Sequence, residues 1–92
     1  MSRKDLKKKI NTVMELLYAD CVFYKVFVID ADKAAADKII ESIANVHSDF
    51  LKRISVNEGK GVKGRTKSYY KKLTTDFKEK VDELGDKISK LP

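Results

Sequence analysis

Residues 16–29 read LLYADCVFYKVFVI, and whether this run coils or extends decides the fold. Its β-branched and aromatic content would suit a strand. Two observations favour a helix. Leu6, Ile10, Val13, Met14, Leu17, Cys21, Tyr24 and Val28 recur at steps of three and four from well upstream, and no second segment offers a strand to pair with. On a helix, however, the apolar residues cover more than half the circumference, beyond the stripe of roughly 100° that one flank of a small domain buries. Val22, Phe23, Val26 and Phe27 form the surplus, which needs cover from the rest of the chain or from another molecule.

Working outward, the chain has 92 residues, enough for one domain that buries about 60–65% of its unfolded surface. A core that thin gains from self-association. One proline, four glycines and no tryptophan fit an all-α protein better than a sandwich or barrel. The single Cys21 cannot form an internal disulfide and reads as a small buried hydrophobe in a reducing compartment. The basic start SRKDLKKKI imitates a signal sequence, but Asn11, Glu15 and Asp20 interrupt the apolar segment after it. No apolar run approaches the ~20 residues of a membrane span, so no membrane partner and a cytoplasmic location are expected.

Ser2 and Asp5 suit the start of a first helix over about 3–28. The pattern breaks at Asp30-Ala31-Asp32, where an aspartate can cap a second helix over about 31–56, with Ala36, Ile39, Ile40, Ile43, Val46, His47, Phe50, Leu51 and Ile54 on its apolar side. A glycine/lysine loop follows at 57–65. Thr66 or Ser68 then caps a third helix over about 66–91, its stripe being Tyr70, Leu73, Phe77, Val81, Leu84, Ile88 and Leu91. Matched lengths and short connections predict a three-helix up-down-up bundle that self-associates.

Charge is unevenly distributed along the chain: net +4 over residues 1–10, −4 over 11–50, +7 over 51–72 and −1 over the remainder. An up-down-up order brings both basic blocks to one pole. Lys7, Lys8, Lys60, Lys63, Arg65 and Lys67 are the candidate residues for nucleic acid or another polyanion there, with Tyr69 and Tyr70 near enough to stack on bases. Against this, lysine heavily outnumbers arginine, and surface lysines also serve solubility.

Several motifs imitate chemistry. Gly59-Lys60-Gly61-Val62-Lys63-Gly64 spells G-x-G-x-x-G, and Gly59 to Thr66 resembles a phosphate loop with arginine in place of lysine. Both need a preceding strand in a parallel-sheet unit, whereas a helix precedes here. A flexible solvated loop is the better reading. His47, the only histidine, belongs to the apolar side of the second helix and has no neighbouring ligand set with metal spacing. No catalytic residue, metal site, cofactor or small-molecule substrate is expected, and the chain does not read as an enzyme.

The stretch GKGVKGRTKSYYKKL resembles, in composition, lysine-rich histone-like bacterial proteins in which such a loop separates two charged helices. That resemblance covers under half the chain and assigns no site residue. The functional expectation is an interaction module that joins a second copy or a helical partner through Val22, Phe23, Val26 and Phe27, with polyanion binding as the alternative.

Overall fold

The computed structural model describes the backbone of residues 3–56 and 63–92, with side chains for residues 4–55 and 68–92. The described residues form three helices: α1 (Arg3–Phe27), α2 (Lys33–Val56) and α3 (Lys63–Ser89). The described residues contain no strand, so the deciding segment coils as its spacing predicts.

Local chemistry sets the boundaries. Helix α1 has Asp5 in its first turn and Lys25 in its last, each where the helix dipole favours its charge. The Val28 N–H still bonds the Tyr24 carbonyl at 3.1 Å, after which the chain turns through Asp30 at φ 59°. Aspartate tolerates that left-handed conformation better than most side chains. Asp32 then caps α2, its Oδ1 accepting the Ala35 N–H at 3.0 Å. Helix α2 thus begins two residues later than the expected 31, because Asp32 and not Asp30 is the cap.

Helix α3 also departs from expectation. It starts at Lys63, inside the expected 57–65 loop, and runs through Thr66 and Ser68, which therefore do not cap it. Lysine and arginine are good helix formers, and one glycine costs only about 1 kcal/mol, so Gly64 does not stop the turn. The rest of the expected loop, with Lys60, lies outside the described residues.

The core is apolar throughout. Leu6, Ile10, Met14, Leu17 and Cys21 of α1 meet Ile39, Ile43, Phe50 and Ile54 of α2, and Leu73, Phe77 and Leu84 of α3. Phe50 and Phe77 pack edge to face, ring centroids 5.2 Å apart. No buried polar or charged side chain occurs among the described residues. Polar pairs join the helices at their edges. Asn11 meets His47 and Lys25 meets Asp37 between α1 and α2, while Arg53 meets Asp76 between α2 and α3. The α1–α2 interface is the most extensive and α1–α3 the least.

The end of α2 is closed by α3. Tyr69 Oη donates to the Arg53 carbonyl at 2.7 Å and Tyr70 Oη to the Ile54 carbonyl at 3.4 Å. The last carbonyls of a helix lack intrahelical partners, and these hydroxyls supply them. Arg53 itself donates to Asp76 at 2.9 Å while its guanidinium lies over the Phe50 ring, 4.9 Å from the centroid.

Candidate functional site

The surplus apolar surface of α1 faces outward. Leu16 is 63% exposed, Phe23 59%, Val26 67% and Phe27 71%. Leu16, Asp20, Phe23 and Phe27 are spaced four, three and four, which stacks them along one face of a helix with 3.6 residues per turn. The core stripe on the same helix lies on a different face. Val22, also a candidate from the sequence, falls off this seam and is half-buried.

The face continues round the corner into α2. Val28 is partly exposed and Ile29 is 89% exposed, the most open large apolar residue of the described chain. Val28 does not join the core stripe as its spacing predicts, because the helix ends at Phe27 and the register is lost. Reading the sequence for surplus apolar residues missed Leu16 and Ile29 as well. Leu16 was legible in principle, since it precedes Phe23 by two helical turns.

The face is held in place from behind. Phe23 and Phe27 stack, centroids 5.5 Å apart and planes 21° from parallel. The Tyr24 hydroxyl accepts the Asp32 N–H at 2.7 Å, tying the last turns of α1 to the start of α2. Lys25 pairs with Asp37 across the same junction. An apolar surface fixed in this way loses little conformational freedom when something covers it.

Its electrostatics are acidic. Asp20 is exposed at the centre of the seam and has no ion pair among the described residues, while exposed Glu15 and Asp30 flank its two ends. Beneath it, burial pushes the Cys21 thiol above its ordinary value, and the Asp20 carboxylate adds to the shift. Cys21 is a free thiol buried in the core.

Cations concentrate elsewhere along the chain. Exposed Lys4, Lys8 and Lys9 and half-buried Lys7 lie in the first turns of α1, exposed Lys52 in the last turns of α2, and exposed Lys71 and Lys72 in the first half of α3, just beyond the tyrosines that reach the end of α2. The side chains of Lys60, Lys63, Arg65 and Lys67 lie outside the described residues.

Comparison with protein-family models finds no match, and neither the curated proteins nor the solved structures contain a significant one.

His47 is half-buried and its Nε2 bonds the Asn11 amide oxygen, which fixes it at the α1–α2 seam. A shallow open cleft beside it is lined by Ala44, Ser48, Leu51, Lys52 and Ser55. Among the described residues no group of His, Cys, Asp and Glu is clustered to hold a metal, and no helix is long and apolar enough to cross a membrane.

Proposed function

We propose that this protein is a small interaction module that works by docking a helix, of a second copy or of another protein, onto the outward face of α1. The supporting observation is the exposure of Phe23 and Phe27 on an ordered helix end, beside Leu16, Val26 and Ile29. Fully burying such a side chain is worth about 1.5–3 kcal/mol, so leaving five of them in water on one face is costly unless a partner covers them. Chemistry plays no part in this reading.

Site-specific photo-crosslinking tests it. A photoreactive residue at position 23 is expected to give protein adducts of discrete mass in cells expressing the chain, while the same residue at exposed Glu79 gives none. Equal labelling at both positions would remove the case for a docking face.

The two lysine-rich blocks of the sequence, residues 3–9 and 52–72, support a second reading, contact with nucleic acid or another polyanion through Lys7, Lys8, Lys60, Lys63, Arg65 and Lys67. Counterion release makes such binding fall steeply with salt. A mobility-shift titration that showed no binding, or binding insensitive to salt, would count against it.

A further inference from the structure

We infer that the occupant of the α1 face is an amphipathic helix of a different protein, carrying a lysine or arginine opposite Asp20 with apolar residues one turn to either side. The inference rests on the docking role proposed above and adds the partner's chemistry. Three features carry it: the order of the seam, its charge and its rigidity.

The seam reads Leu16, Asp20, Phe23, Phe27, apolar except for one carboxylate in the middle. Exposed Glu15 and Asp30 add negative charge near the two ends; of the nearby cations, Lys25 is bound to Asp37, and exposed Lys9 and Lys33 lie beyond residues 15–30. A helix laid along this seam covers about 16 Å, the rise of eleven residues, and must meet Leu16 and the two phenylalanines with apolar side chains. At the central contact it faces Asp20. An apolar group there would bury an unpaired carboxylate, which is strongly unfavourable, whereas a cation on a long aliphatic stem covers the seam and pairs the charge.

The same charge disfavours two other occupants. In a symmetric antiparallel pairing of two copies centred on the seam, residue 20 of one helix lies about 4.5 Å along the axis from residue 20 of the other, and a parallel pairing puts them level. The two aspartates are thus near neighbours in the first case and opposed in the second, with no cation from the seam residues Leu16, Asp20, Phe23 and Phe27 between them. A lipid surface fares no better, because anionic headgroups repel Asp20 and Asp30, and insertion of Phe27 and Ile29 would drag those carboxylates toward the bilayer. The basic amphipathic helix is the occupant that satisfies both the apolar and the charged residues.

The probe is a designed helical peptide of about 18 residues, long enough to hold helix in solution, with a leucine seam and either lysine or glutamate at its central position. Binding is read by fluorescence anisotropy against the full chain, its Asp20→Lys variant and its Phe23→Ser/Phe27→Ser variant, each checked for helicity. The expected result is that the lysine peptide binds at least about tenfold more tightly than the glutamate peptide, that Asp20→Lys reverses the order, and that the serine variant binds neither. Equal binding of both peptides, still lost in the serine variant, would keep the docking face and overturn the basic partner. Failure of both peptides, together with a dimer mass that the serine variant abolishes, would make a second copy the occupant and overturn it also. If neither peptide binds, the chain is monomeric and it associates instead with neutral lipid vesicles, the inference and the docking role both fail.

Discussion

The Tyr24 hydroxyl accepts the backbone N–H of Asp32 at 2.7 Å, and through this bond the last turns of α1 and the first residue before α2 are held as one piece. Phe23, Phe27 and Ile29 are carried on that piece. Their outward direction is therefore built into the corner, with Asp30 in its left-handed conformation and Asp32 capping the next helix.

Removing the hydroxyl should loosen the corner without touching the core. Tyr24→Phe is expected to lower stability by about 1 kcal/mol or less, since the bond is exposed to competing water. Chemical denaturation with an unchanged slope is the check. A loss several times larger would mean that the ring is part of the core.

Substitutions on the outward face and in the core should separate cleanly. Phe23→Ser and Phe27→Ser, at rings more than half exposed, should leave the midpoint of thermal unfolding nearly unchanged. Leu73→Ala, at a fully buried position, should cost about 2–5 kcal/mol through the lost burial and the cavity left behind. Comparable losses in the two sets would place the phenylalanines inside.

Much of this division could be read from the chain. The steps of three and four at Leu6, Ile10, Met14, Leu17 and Cys21 mark residues that are all buried, and the surplus of Phe23, Val26 and Phe27 is exposed. Periodicity misjudged Val28, because a helix stripe holds only while the helix lasts and a left-handed aspartate ends it. It also could not place Arg53 over Phe50 and against Asp76, or send Tyr69 and Tyr70 to the last carbonyls of α2. Those contacts join distant positions across a connection that leaves no periodic trace.

Arg53 should be worth more than its ion pair alone. Arg53→Ala removes the Asp76 bond, the stacking on Phe50 and the aliphatic cover of the ring, for a loss of about 1–2 kcal/mol. Asp76→Asn removes only the charge of a one-third exposed pair and should cost less than about 1 kcal/mol. Arg53→Lys should recover little, because lysine lacks the planar fork. Equal losses for the alanine and asparagine variants would reduce the site to a simple salt bridge.

Stability should decline in alkali through Cys21. Its thiol is pushed above the ordinary value of 9.0 by burial and by Asp20, so the unfolded chain releases the proton first. The contribution is complete below pH 9.0 and is lost as pH rises from there through the higher folded value. Denaturant midpoints for the wild type and Cys21→Ala, followed upward from neutral pH, should therefore converge in alkali. Parallel curves would show that the thiol does not sense its burial.

Hydroxyl-radical footprinting of the isolated chain, at a concentration where it sediments as a monomer, reads the outward face of α1 directly. Rapid oxidation of Phe23, Phe27 and Ile29 and slow oxidation of Phe50 and Phe77 are expected, with the first group becoming protected when a docking helix is added. Phe23 and Phe27 as slow as Phe50 in the monomer would mean that the chain covers its own apolar run, and no face would remain for a partner.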